Sequence, residues 1–269
     1  MKGARFFKKK GSTGCLLVHG LTSSTQEIED LADRLHSKGY SVLCTLLKGH
    51  NTSPEDLSVT GWNDWYESVE NDFNFFRREC SKIYVIGLSI GATLSMHLAA
   101  DKNKKIDGLI LLAPAIFYTS PWAKITPILK HFKKYGIKDY SKYYPGRKEA
   151  FFDIADENEL KKRIAYKKFP LGAIASALRL ISVVKKEIKE ISVPTLIMHS
   201  TNDHTIKPES AKYIYRRLRL RPENKKLVYL KISGHVITVD YEKDIVFSEI
   251  MKILRKTNFQ DTRKQSFRV

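Results

Sequence analysis

The feature that most constrains this chain is a repeated alternation of short apolar runs with segments of helical periodicity. Gly14 to Val18, Tyr40 to Leu47, Lys82 to Gly87, Ile106 to Leu112, Val193 to His199 and Lys225 to Ile232 read as strands. Helical patterns separate them. From Ser24 to Lys38 the apolar positions Ile28, Leu31, Ala32 and Leu35 recur at helical spacing. Ser24 and Glu27 suit a capping box there, and Gly39 suits the stop. Thr60 caps a second helix through Cys80, with Trp62, Trp65, Tyr66, Val69, Phe73 and Phe76 as its apolar stripe. Ile90 to Ala100, Pro208 to about Leu220 and Asp240 to Leu254 read as further helices, and Arg255 to Val269 as a polar, frayed tail. Apolar strands joined through helices imply a mostly parallel sheet covered on both faces, an α/β fold.

The rhythm breaks once. Ala115 to Ile191, following the strand that ends near Leu112, reads as a helical insertion punctuated by Pro121, Pro127, Pro145 and Pro170. Residues 1–114 and 192–269 then form the core, and 115–191 the insertion. This segment holds 17 Lys or Arg against 8 Asp or Glu, half of the chain's net charge of +18. The lysines are scattered rather than clustered, which fits a solvated surface better than a nucleic-acid site, and no basic-aromatic motif accompanies them. Cys15, Cys44 and Cys80 are odd in number and show no metal spacing. They read as buried thiols of a reducing compartment. Basic Met1 to Lys10 lacks the apolar stretch of a signal peptide, and no run has the length of a membrane span. A cytoplasmic protein is expected, with neither metal nor cofactor, as a monomer or homodimer.

Gly87-Leu88-Ser89-Ile90-Gly91 fits G-x-S-x-G between a strand and a helix. Such a sharp turn strains its serine, needs small neighbours two positions away, and aims a helix N-terminus at developing negative charge. A serine hydroxyl needs a base, and the base a carboxylate, in the chain order Ser, acid, His. Of eight histidines, His235 alone lies on a loop after the last strand, and Asp203 lies on the loop after the strand ending at His199. His204 precedes the last strand and reads as solvent-facing. Asp240 and Asp244 read as helix-cap and surface residues. The oxyanion donors are expected to be the backbone N–H groups of Ile90 and Leu21, the latter in His19-Gly20-Leu21-Thr22. His19 is out of order for catalysis and reads as structural. Ile116, Phe117, Trp122 and Val236, with Leu21, are candidates to line the acyl site.

Together, His19 to Ser24, Lys48-Gly49-His50, Ser53 to Leu57, Thr60 to Trp65, Gly87 to Gly91, Asp203 and Ser233 to Thr238 resemble the small bacterial carboxylesterases and monoacylglycerol lipases of the α/β-hydrolase superfamily. The thermostable carboxylesterase type is most similar. Position 92 departs from it, with Ala where Gly is usual. The resemblance implies cofactor-free hydrolysis of short- to medium-chain carboxylic esters, with 115–191 as a small lid, through which a basic surface would meet an interface. It is weak across that segment, which leaves the substrate open. A monoacylglycerol lipase and a thioesterase or acyltransferase share the same triad. A ligand receptor on this fold would have no need of the whole set.

Overall fold

The computed structural model describes residues 3–144, 146–147, 151–163, 166 and 168–265, with residues 256–265 described by backbone alone. Pro145 lies outside the described residues. In chain order the strands are β1 (Phe6–Lys8), β2 (Thr13–Val18), β3 (Ser41–Thr45), β4 (Lys82–Leu88), β5 (Gly108–Leu112), β6 (Tyr135–Ile137), β7 (Lys168–Pro170), β8 (Thr195–Ser200) and β9 (Lys225–Leu230). The helices are α1 (Glu29–Ser37), α2 (Pro54–Ser58), α3 (Trp62–Glu79), α4 (Ile90–Ala100), α5 (Thr126–Leu129), α6 (Glu157–Lys161), α7 (Leu171–Glu187), α8 (Glu209–Arg217) and α9 (Lys243–Gln265).

Seven strands form one sheet in the order β1-β3-β2-β4-β5-β8-β9. Every pairing is parallel except that of β1 with β3. Consecutive residues of each central strand face opposite layers, so both positions are apolar. Leu16, Val85, Leu111 and Ile197 pack with Trp65, Phe73, Leu94 and Ile214 of α3, α4 and α8. Their neighbours Leu17, Ile86, Leu112 and Met198 pack with Leu31, Leu35, Ile250 and Leu254 of α1 and α9. This double burial is why the strands read as continuous apolar runs.

Local signals explain several boundaries. Gly39 has φ +98°, the left-handed geometry expected just past α1. The helix at Ser24 splits instead into a single 3-10 turn (Thr25–Glu27) and α1. Ser24 Oγ accepts from the Gln26 N–H, while Glu27 is buried and caps nothing. Gly61, not Thr60, is the N-cap of α3, and its N–H donates to Asp64 at 2.9 Å. The Thr60 hydroxyl is taken up by the Trp65 indole N–H. The chain also adds β1 from residues that read only as a basic terminus, and α9 continues past Leu254 to Gln265.

The expected helical insertion is more varied than its reading. After β5 come the short α5 and α6 and an antiparallel ribbon of β6 and β7. Helix α7 then packs Ala173, Ala177, Leu180, Ile181 and Val184 into the same core layer as α3 and α4. Its residues therefore form part of the cover of the sheet.

Candidate active site

The carboxyl ends of four parallel strands converge on one place, as expected for ligand sites in such sheets. The turn between β4 and α4 carries Ser89 at φ 58°, ψ −118°, a conformation L-residues avoid. Its surroundings hold it there. The Ser89 N–H donates to Leu112 O at 2.9 Å, and its carbonyl accepts from the N–H groups of Ala92 and Thr93. A Cβ on Gly87 would lie 2.4 Å from Gly91 O, and one on Gly91 would lie 2.3 Å from Val18 O. Both glycines are thus required by backbone packing. Ala92, the departure from the family pattern, is fully buried in the core beside this turn.

The three residues read in the order Ser, acid, His meet here. Ser89 Oγ and His235 Nε2 are 2.8 Å apart, and His235 Nδ1 is 2.6 Å from Asp203 Oδ2. Asp203 is filled with donors. Its Oδ1 accepts from the N–H groups of Thr205 and Ile206 at 2.9 and 2.8 Å, and its Oδ2 also meets His199 Nε2 at 2.9 Å. Burial pushes the Asp203 carboxyl up, but the charges and hydrogen bonds of His235 and His199 outweigh it and hold it well below the usual carboxylate range. It is therefore ionised, and the Nδ1–H of His235 points at it. Burial alone would lower the pKa of His235. The carboxylates of Asp203, Asp153 and Glu27 reverse this, and the net direction is upward.

The loop after β2 runs beside Ser89. A Cβ on Gly20 would lie 3.4 Å from Ser89 Cβ and 3.2 Å from Glu27 Oε2. His19 is fully buried and neutral, its pKa lowered to about 4 by burial. Its Nε2 accepts from the Leu47 N–H at 3.1 Å, so its Nδ1–H donates to Gly20 O at 2.7 Å. In a trans peptide N–H and C=O point opposite ways. Fixing the Gly20 carbonyl on His19 therefore fixes the Leu21 N–H in the other direction. Ile90 is the first residue of α4, where N–H groups have no intrahelical acceptor.

The side chains expected to line an acyl site do not share one location. Ile116 is buried just after Ala115, whose N–H donates to Ser89 O at 3.3 Å. Val236 is buried next to His235 in the opposite core layer. Phe117 is half-buried and turns toward α8, edge-on to Tyr213 at 5.1 Å. Trp122 is 68% exposed on the inserted segment.

Four residues at the site carry no functional signal in the sequence. His199 closed a strand with no pattern to mark it. Glu27 passed for a cap. Asp153 sat in the insertion. Asp240 read as a helix cap or surface residue, yet it is fully buried and accepts from the N–H groups of Gly234, Ala155, Asp156 and Tyr241. Only Asp244 is exposed as expected, paired with Arg34 at 2.8 Å. His204 stacks on Tyr143 with ring centroids 4.1 Å apart.

Comparison with known proteins gives consistent relatives. The model of a family described as Serine aminopeptidase, S33 (Hydrolase_4) matches residues 11–242. A thermostable monoacylglycerol lipase of a Bacillus species is 30% identical over 251 residues, 93% of this chain and 94% of that protein. A carboxylesterase of Bacillus subtilis is 28% identical over 255 residues, 94% and 97% of the two. Among solved structures, one from a study of the metagenome-derived lipolytic enzymes LipS and LipT has a TM-score of 0.84 at 24% identity, covering 94% of this chain and 98% of that one. The monoacylglycerol lipase of Paleococcus ferrophilus has a TM-score of 0.78 at 18% identity, covering 94% and 98%.

Proposed function

Because the chain belongs to the serine aminopeptidase (Hydrolase_4) family of α/β-hydrolases, we propose that it hydrolyses carboxylic esters with Ser89 as nucleophile, His235 as base and Asp203 as acid. The observation that carries this reading is the unbroken hydrogen-bond chain from Ser89 through His235 to Asp203. His235 Nε2 takes the Ser89 proton as Oγ attacks the ester carbonyl. Asp203 keeps the Nδ1–H tautomer and stabilises the imidazolium. The N–H groups of Leu21 and Ile90 hold the oxyanion. His235 returns the proton to the leaving alcohol, and water, activated the same way, releases the acid. Leu21 and Ile116, in one core layer, and Val236, directly after His235 in the other, are the candidates for lining the acyl site from its two sides. Residues 115–170 serve as the lid.

Among the described residues no helix is long and apolar enough to cross a membrane. The three cysteines are buried and unpaired, which fits a cytoplasmic, reducing setting. The Ser89→Ala variant, folded but unable to hydrolyse p-nitrophenyl butyrate, tests the assignment. A phosphonate serine probe that labels a residue other than Ser89 would overturn it.

One observation favours a lipid-interface substrate such as a monoacylglycerol within this reading. Trp122, Ile128, Phe132 and Ile137 are 68%, 67%, 85% and 71% exposed on one stretch of the lid. Lys124, Lys130, Lys133 and Lys134 alternate with them. Apolar side chains set among cations suit an anionic lipid surface. Flotation with phosphatidylglycerol vesicles tests this. Binding is expected for the chain and a loss for Phe132→Ser combined with Trp122→Ser, with p-nitrophenyl butyrate turnover unchanged. Equal flotation of the two would refute it.

A further inference from the structure

We propose that Asp153, supplied by the inserted segment, is a positioning residue of the triad, holding the acid and base loops together and adding a second negative charge behind His235. This rests on the reading of Ser89, His235 and Asp203 as catalytic.

Asp153 lies fifty positions ahead of Asp203 and is 2% exposed. Its Oδ2 accepts from the His204 N–H at 2.8 Å and the Thr205 hydroxyl at 2.9 Å. The N–H of the same Thr205 donates to Asp203 Oδ1, so one residue joins the two carboxylates. The carbonyl of Asp153 accepts from the Val236 N–H at 3.2 Å, on the loop that carries His235. A Cβ on Gly234 would lie 2.5 Å from that carbonyl oxygen. Asp240 fastens the same seam, its Oδ2 accepting from both Gly234 and Ala155 at 2.7 Å. Asp153 thereby bonds both the loop of Asp203 and the loop of His235, alongside the contacts that Ala155 and Asp156 make with Asp240.

The donor set defines the charge. Tyr144 Oη donates to Asp153 Oδ1 at 2.6 Å, and the other two contacts are an N–H and a hydroxyl. The Thr205 hydroxyl, 2.9 Å from Asp153 Oδ2, also lies 3.0 Å from Tyr140 Oη as donor. Three donors converge on an acceptor-only group, the pattern of a carboxylate. Burial and the charge of Asp203 push the Asp153 carboxyl upward, Tyr144, His235 and His204 offset this in part, and the net direction is upward. The ionisable groups bearing on His235 are Asp203, Asp153 and Glu27. Glu27 itself faces Lys138 and Arg163, which partly offset its charge. Arg147 lies nearby, its guanidinium bonded to the Ile154 and Ala155 carbonyls and placed over the Tyr144 ring. The charge of Asp153 favours the imidazolium formed as Ser89 attacks.

Asp153→Asn separates the two roles. The amide oxygen accepts from His204 and Thr205, and the amide nitrogen can donate to Tyr144 Oη, so the contacts survive and the charge does not. Removing a negative charge that favours the imidazolium lowers the pKa of His235, by on the order of one unit for a screened carboxylate that does not touch the ring. The acidic limb of kcat/KM for p-nitrophenyl butyrate should therefore move down by about one pH unit. KM should stay within about twofold, and plateau kcat should fall by less than about tenfold. Asp153→Ala, which also removes the contacts, should cost about tenfold or more in kcat. An acidic limb superimposed on that of the unmodified chain overturns the proposal, as does wild-type kcat in Asp153→Ala. Should Asp153→Asn fail to fold, Tyr144→Phe removes one donor and leaves the Asp153 charge less compensated, so the limb should move upward. An unmoved limb there also overturns the proposal. Phosphonate labelling of the unmodified chain separates the levels. No label on Ser89 removes the triad reading and this proposal with it, whereas labelling with an unmoved limb removes this proposal alone.

Discussion

The strain at Ser89 can be measured by comparing Ser89→Gly with Ser89→Ala. Both lose the hydroxyl and its contact with His235, so they differ by one Cβ. At φ 58°, ψ −118° that Cβ is the source of the cost. A non-glycine residue in such a region costs about 1–3 kcal/mol. Glycine removes that cost but gives the unfolded chain more freedom, which opposes it by about 0.5–1 kcal/mol. The central difference is about 1.3 kcal/mol in favour of Ser89→Gly. For a chain of this size that corresponds to about 3–5 °C in Tm. Neither variant hydrolyses ester, so activity does not enter the comparison. Thermal unfolding followed by circular dichroism, with urea midpoints as a second measure, provides the assay. Ser89→Gly melting at or below Ser89→Ala would refute the claim that the turn stores strain at the nucleophile.

Asp203→Asn should fold normally and lower kcat by about 10⁴, because an amide no longer selects the Nδ1–H tautomer; a loss under tenfold would argue against Asp203 as the acid. The base must be neutral to act, and the pKa of His235 is raised above its usual 6.5. Activity should therefore fall as pH drops through a limb lying above 6.5, about tenfold per unit in kcat/KM, and a limb below 6.5 would contradict the direction of the shift. Gly234→Ala sets a Cβ 2.5 Å from Asp153 O and 2.6 Å from Tyr144 Oη. It should cost about 1–3 kcal/mol and lower kcat, which urea unfolding and steady-state kinetics would check.

The sequence revealed those parts of the molecule that local physics specifies. Central strands announce themselves because both faces are buried, as Leu16 and Leu17 illustrate by packing into opposite layers. The turn at Ser89 is legible because only glycine fits at positions 87 and 91 against neighbouring backbone. The order of Ser89, Asp203 and His235 follows from strand ends that lie on one edge of a parallel sheet. Strand β1 was not legible, since three residues at a basic terminus carry too little pattern and exist as a strand only by pairing with β3. The role of α7 was hidden for a related reason, because an apolar helical stripe does not say which surface it covers.

What the sequence by itself determined is the class of chemistry, because a strained serine, a base and an acid must each occupy a recognisable kind of turn. Only the tertiary structure decided what surrounds them. Asp153, Glu27, Asp240 and His199 are ordinary residues in the chain, and nothing in their neighbours distinguishes them. They become parts of the site because folding removes water from them. A carboxylate without water must find donors, and the donors available are the N–H and hydroxyl groups of the loops that carry Asp203 and His235.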